Sequence, residues 1–496
     1  MSDADDVPEV AERRVCAGCV GEAYLKAEIE RTGEVTECYY CGEDEDSTIT
    51  IEELAGRVET ALEHHYERTS SEPEGIEYLL QKEGRWSRHG DQIVDVIGEM
   101  AGIEPEPAED VRSLLEDQNY DKHAAEIGEE NPFDEEAHYE RAISECNEYQ
   151  ADWQSLVASL EQSSRFFSRA AHATLTSIFQ GLDELRTRDG KSVVVAAGPG
   201  CDLRAIYRAR VFPDHDTLSD ALLRPETELG PPPSRRAAAG RMNPHGISVF
   251  YGAIDEKIAC AEVRPAVGSM IASAKFEIIR SVRLLDVSAL QNVLVTGSVF
   301  DGAYRQRLEH GSFMRILSNR IGVAVLPTDE PFQYLATQAI AEFLSEFAEN
   351  QIDGLLFRSA QAAAETGNVV LFHRASRVEA IERPQGTEFR VNDGYPDEED
   401  YVRQYTVWED RPAAEEKKQD DDFFGVDFSR ILERQTHADR DARPPTLRID
   451  VDSVVVHEVE AVEIKTQSYP VTRRVHQATK ATSTPPGGKG GGFKSG

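Results

Sequence analysis

The segment Arg235–Pro265, RRAAAGRMNPHGISVFYGAIDEKIACAEVRP, carries the side chains best suited to chemistry. Arg241, Tyr251 and Glu262 follow one another at intervals of about one short strand plus a turn. A guanidinium forks onto a phosphate, an aromatic ring stacks on a flat base, and a carboxylate holds sugar hydroxyls. The set suits an anionic ligand with a flat ring and a ribose, a nucleotide such as NAD, with reaction at a glycosidic bond. Arg204, Arg208, Arg210, Arg235, Arg236 and Arg241 form a basic island in a chain of formal net charge −38. An anionic ligand needs such an island in so acidic a protein.

A second group is Cys16, Cys19, Cys38 and Cys41, spaced C-x2-C-x18-C-x2-C, with Gly18 and Gly42 at the turns. Two thiolate pairs on tight turns can close a tetrahedral shell, which predicts a structural zinc ion rather than a catalytic one. Cys146, Cys201 and Cys260 stand singly and read as small buried hydrophobes.

The elements that position these groups fall into blocks. Residues 1–48 read as a zinc ribbon. Residues 49–188 read as a helical bundle from apolar steps of three and four, with acidic proline-containing loops at GIEPEPAED and GEENPFDEE. Within it Arg165 and His172, seven apart, could share a helix face and serve metal-free RNA cleavage; a solvated face is the plainer reading. Residues 190–385 alternate short strands with a few helices and predict an α+β domain with a largely antiparallel sheet. Gly198 and Gly200 do not complete a dinucleotide fingerprint. Residues 386–443 are polar and charged and read as a linker or insertion, 444–475 as C-terminal strands, and 476–496 as a flexible tail.

The region from about 195 to 375 resembles the RES domain family. The resemblance rests on YRAR at 207–210, GRMNPHG at 240–246, Tyr251, Glu262, DGLLFRS at 353–359 and GNVVLF at 367–372, in the family's order. Met242 stands where many members have tryptophan. The helical region before it, through SRFFSRAAH, looks like the HEPN-type domain sometimes fused to RES domains. The resemblance implies an ADP-ribosyltransferase-like fold that binds NAD as substrate and breaks its nicotinamide–ribose bond, by hydrolysis, phosphorolysis or ADP-ribosyl transfer. It also implies a toxin-like or defence-like role, with an antitoxin or other protein as a candidate partner. By the same resemblance Arg208 and Arg241 match the family's arginines, Tyr251 its tyrosine, Glu262 its glutamate and Ser359 its serine, with Asn368 matching a recurrent asparagine. Arg241, Tyr251 and Glu262 are then the catalytic set, and Arg208, Ser359 and Asn368 bind the substrate.

The acidity disfavours nonspecific contact with nucleic acid or anionic lipid. No apolar run reaches the length of a membrane span, and the acidic N-terminus lacks the apolar core of a secretory signal, so a cytoplasmic location is expected. The rival functional reading is an RNA-directed HEPN-type ribonuclease built on Arg165 and His172, or a regulator whose nucleotide domain only senses its ligand.

Overall fold

The computed structural model describes residues 9–73, 75, 77–121, 130–142, 146–163, 165, 167–322, 330–359, 367–396, 401–412, 441–463 and 466–474. The segment VAVLP at 323–327, a short apolar run that by sequence alone predicts a strand, and the C-terminal tail lie outside these residues.

The N-terminal part runs β1 (Arg14–Cys16), α1 (Ala23–Thr32), β2 (Glu34–Val35), β3 (Ser47–Thr50), α2 (Ile51–His65), β4 (Tyr66–Arg68), α3 (Glu77–Lys82), β5 (Asp91–Gln92), α4 (Ile93–Ala101), α5 (Pro105–Gln118) and β6 (His138–Arg141). Thr50 and Glu53 form a capping box that starts α2, whose buried face is Ile51, Leu54, Ala55, Val58, Ala61, Leu62 and His65. Strands β1, β3 and β2 form one small sheet, and β4, β6 and β5 another. Val15, Leu25, Ile29 and Ile49 of the cysteine-bearing segment share one core with α2, α4 and α5. The expected division between a ribbon and a bundle at residue 48 is therefore not a packing boundary. Gly102 shows how close the two segments come. It ends α4 at φ +64, and a Cβ there would stand 2.8 Å from the Cα of Gly21.

Two further expectations for this region are corrected. The stretch GIEPEPAED is not all loop, because Pro105 occupies the first turn of α5, where its missing N–H costs nothing. The stretch 135–161, whose apolar spacing alone predicts one helix, is divided: 138–141 pairs as a strand and the helix begins only at Asn147.

Next come α6 (Asn147–Gln162), α7 (Arg169–Phe179), β7 (Arg186–Thr187), β8 (Val194–Ala197), β9 (Ala205–Phe212), α8 (His215–Leu223), α9 (Pro225–Glu228), β10 (Phe250–Ala253), α10 (Glu256–Glu262), β11 (Met270–Ile278), β12 (Val282–Asp286) and β13 (Val293–Leu294). The chain continues through α11 (Tyr304–Gly322), α12 (Glu330–Glu346), β14 (Gly354–Phe357), β15 (Asn368–Leu371), β16 (Glu388–Pro396), β17 (Tyr401–Asp410) and β18 (Leu447–Glu458). An eight-stranded sheet has the order β18-β11-β9-β10-β15-β14-β12-β8. Of its neighbouring pairs only β12 and β14 run parallel, so the expected largely antiparallel sheet is present.

Alternate residues of the central strands face opposite layers, as strand geometry requires. Leu285, Leu355 and Val370 pack under α11 and α12, while Leu284, Val369 and Leu371 pack on the other side with Phe250, Phe276 and α8. Helices α6 and α7, predicted within the N-terminal bundle, join the first of these layers through Trp153, Leu156, Leu175 and Ile178. Their apolar faces find the sheet domain because that is where the larger apolar layer lies.

The predicted linker 386–443 contains structure. Strands β16 and β17 pair antiparallel, residues 388–396 against 401–410. Alternation of Phe389, Val391, Val407 and Tyr405 among charged residues supports pairing despite the polarity. The segment RVEAIER at 377–383, whose alternation predicts a strand, contributes only an isolated bridge from Val378 to Leu447. Strand β18 pairs along β11 and closes one edge of the main sheet. Among the described residues no helix is long and apolar enough to cross a membrane.

Candidate active site

Strand β9 carries Arg208, β10 carries Tyr251, and β15 begins with Asn368. Asn368 lies opposite Ala253 on one side and Phe357 on the other, so the ends of β10, β14 and β15 meet at one rim. Ser359 follows β14 at that rim, and Glu262 is the last residue of α10 beside it. Arg208, Arg241, Tyr251, Glu262 and Asn368 line one cavity of about 340 Å³. Ser359 stands behind Glu262, its hydroxyl donating to Glu262 Oε1 at 2.5 Å. Asn368 Nδ2 donates to the same oxygen at 2.9 Å. All six predicted RES-region residues are thus gathered at one place.

The carboxylate of Glu262 is held by one oxygen, and its Oε2 accepts no hydrogen bond among the described residues. Asn368 Oδ1 is buried without a partner. So is Arg208 Nη1, while the Arg208 guanidinium lies over the Phe250 ring at 5.0 Å from its centroid. Burial, with neighbouring Arg210, pushes the Arg208 guanidinium down to about 10. A buried guanidinium nitrogen and a buried amide oxygen, both without hydrogen-bond partners, are costly unless a ligand satisfies them. Arg208, Glu262 and Asn368 all line the cavity, so a guanidinium and two side chains with acceptor oxygens border the same space.

Arg241 sits in a turn, where Gly240 and Asn243 exchange backbone hydrogen bonds. The turn docks on α12: Thr337 Oγ1 donates to the Arg241 carbonyl and Gln338 Nε2 to that of Gly240. Arg241 Nη1 donates to the Ile321 carbonyl at the end of α11, the helix end that favours a cation. Gly240 is required here, since a Cβ would lie 2.7 Å from Asn243 Oδ1 and 2.8 Å from the Tyr251 hydroxyl. Met242 fills the core beneath the turn and is 2% exposed. The Tyr251 hydroxyl accepts from Met242 N and donates to Asn243 Oδ1. Burial pushes that phenol up to about 12, so it stays neutral and offers the cavity its ring.

Gly240, Arg264, Tyr334 and Arg358 also line the cavity and were not singled out from sequence. Arg358 directly precedes Ser359, and Arg264 follows Glu262 by two residues, so proximity along the chain was the available signal. Arg264 has φ +46, the only positive φ at a non-glycine among the described residues, a strained conformation of the kind that gathers at functional sites.

Arg165 and His172 do not share a helix face. Arg165 precedes α7 and its Nε donates to the Leu160 carbonyl. His172 is exposed on α7 with its ring edge-on to Phe343 and Phe347. Both border a separate shallow cavity.

The ligand atoms of Cys16, Cys19, Cys38 and Cys41 all lie within 4.8 Å of one another. Cys16 Sγ is 3.5 Å from Cys41 Sγ, and Cys19 Sγ is 3.9 Å from Cys38 Sγ. Thiolates at about 2.3 Å from a tetrahedral ion stand about 3.8 Å apart, so the cluster could hold a metal ion. Cys16 N–H donates to Cys38 Sγ, and Asp46 accepts from Gly18 N, fixing the first turn.

The RES domain model, of a family associated with NAD-related toxin systems, matches residues 206–392. The model of HEPN/RES N-terminal domain 1 matches residues 31–174. No curated protein and no solved structure matches the chain. The chain thus carries a RES domain over residues 206–392 behind a HEPN/RES N-terminal domain 1 over residues 31–174.

Proposed function

We propose that the cavity binds NAD and cleaves its nicotinamide–ribose bond. The observation that carries this reading is the pairing of a tethered carboxylate, Glu262, with a buried, partnerless guanidinium nitrogen of Arg208 in one cavity. Arg208 and Arg241 take the pyrophosphate. The Tyr251 ring stacks on the nicotinamide. Asn368 Oδ1 accepts from a carboxamide or ribose donor, and Glu262 Oε2 accepts from the ribose hydroxyls.

Nicotinamide leaves as a neutral molecule from a cationic substrate, so no strong general acid is needed. Positive charge develops on the ribose as the C–N bond lengthens, and the Glu262 carboxylate stabilises it. Ser359 and Asn368 hold that carboxylate in place before substrate arrives, so little reorganisation is left for the transition state. The acceptor is water, phosphate or a protein side chain. The mixed, mainly antiparallel sheet with Glu262 at its rim supports an ADP-ribosyltransferase-like reading of the domain. Four thiolates close a coordination shell, which supports a structural zinc ion at Cys16, Cys19, Cys38 and Cys41.

The test is to incubate the purified full chain with NAD and follow nicotinamide by chromatography. Nicotinamide release is expected; intact NAD in the presence of folded protein rejects the reading.

A further inference from the structure

We infer that His457, on the C-terminal strand beyond the matched RES region, is a positioning residue for Glu262. The inference rests on the NAD reading only in giving Glu262 its chemical role.

Glu262 ends α10, a helix of seven residues. So short a helix has little stability of its own and depends on what holds its ends. At the far end Asp255 caps it, accepting from Lys257 N and Ile258 N. Its first residue, Glu256, is held in turn. Ser273 Oγ donates to Glu256 Oε1 at 2.6 Å and lies 2.8 Å from His457 Nε2. His457 Nε2 is also 3.4 Å from Glu256 Oε1. Ser273 is fully buried on β11, so its hydroxyl must find partners within the protein. With the hydroxyl hydrogen directed at Glu256, the Ser273 oxygen accepts from His457, and Nε2 carries the imidazole hydrogen.

Strand pairing produces this contact. His457 on β18 is opposite Ile271 of β11, which places it diagonal to Ser273 on the same face of the sheet. On that face Ile258 and Ala259 of α10 pack against Ala209, Ala253 and Ile271. The helix is therefore tied by a carboxylate at each end: Glu256 to β11 and β18, Glu262 to the rim of β14 and β15. The Ser–His–Glu grouping is not a hydrolytic triad. The serine is inaccessible, and its hydroxyl is bonded directly to the carboxylate instead of being poised against the imidazole.

The experiment uses the full chain with His457→Ala, His457→Gln and Ser273→Ala. Hydrogen exchange is followed over residues 255–264, alongside NAD turnover. His457→Ala and Ser273→Ala are expected to speed exchange in α10 by about tenfold and to lower kcat by about tenfold with KM nearly unchanged. His457→Gln, whose amide N–H can occupy the Nε2 position, is expected to restore both. Wild-type exchange in α10 and wild-type kcat for His457→Ala would overturn the inference, as would glutamine failing to rescue a defect that alanine causes. If Ser273→Ala does not fold, the His457 pair decides. If wild type leaves NAD intact, the NAD reading fails while exchange in α10 still decides the role of His457.

Discussion

Ser359 and Glu262 stand 97 positions apart in the chain, yet the serine hydroxyl donates to the glutamate at 2.5 Å. The contact ties a strand end to a helix end and fixes which carboxylate oxygen faces the cavity. A hydrogen bond to a charged group contributes about 1.5–3 kcal/mol. Ser359→Ala and Asn368→Ala are each expected to lower kcat about tenfold to a hundredfold, with larger loss in the double variant. Steady-state kinetics on NAD check this; a kcat within twofold of wild type in both variants would contradict it.

Arg208 is expected to trade stability for binding. Its Nη1 is buried without a partner and its guanidinium is pushed down to about 10 by burial. Arg208→Met removes that uncompensated charge while keeping much of the side-chain volume. The variant is expected to melt about 2 °C higher than wild type and to bind NAD at least about tenfold more weakly. Calorimetry with and without NAD reads both; lower stability together with unchanged affinity would count against the assigned role.

The predicted residues were legible for different reasons. The cysteine quartet is a local pattern, and its spacing alone fixes the cluster. Arg208 and Tyr251 sit on strands that alternation marks out. Ser359 and Asn368 came only through resemblance, since a lone serine or asparagine carries no periodic signal. The partnership of His457 with Glu256 was not legible, because β18 reaches β11 across some 170 residues and register is a long-range property. The same reason hid the docking of α6 and α7 on the sheet domain: amphipathic periodicity reveals a buried face but not what covers it.

Acid should weaken the contact between the N-terminal part and the sheet domain. His65 is buried on α2, with its ring 5.6 Å from that of Tyr304 on α11. Burial first, then His64, Arg305 and Arg141, push it below the ordinary imidazole value of 6.5. The unfolded chain therefore takes up this proton at higher pH than the folded one. Its contribution to stability is present above pH 6.5 and is lost as pH falls from 6.5 through the folded value. His65→Leu is expected to shrink the fall in Tm between neutral and mildly acidic buffer by about 2 °C. An unchanged fall would contradict the assignment.

Metal removal tests the cysteine cluster. Val15 and Ala17 flank Cys16 inside the N-terminal core, so loss of a bound ion should loosen that core. About one zinc per chain is expected by elemental analysis, with chelation or Cys16→Ser lowering the first thermal transition. Metal-free protein with unaltered melting would argue against a structural ion.

The most direct measurement is nicotinamide release from NAD by wild type and Glu262→Gln, prepared together and matched for folding by circular dichroism. Glutamine keeps the size of the side chain and removes the charge proposed to stabilise the ribose cation. Release by wild type is expected, with a loss of about a hundredfold to a thousandfold in kcat for the variant. Equal rates for the two proteins, or no release by folded wild type, would contradict it.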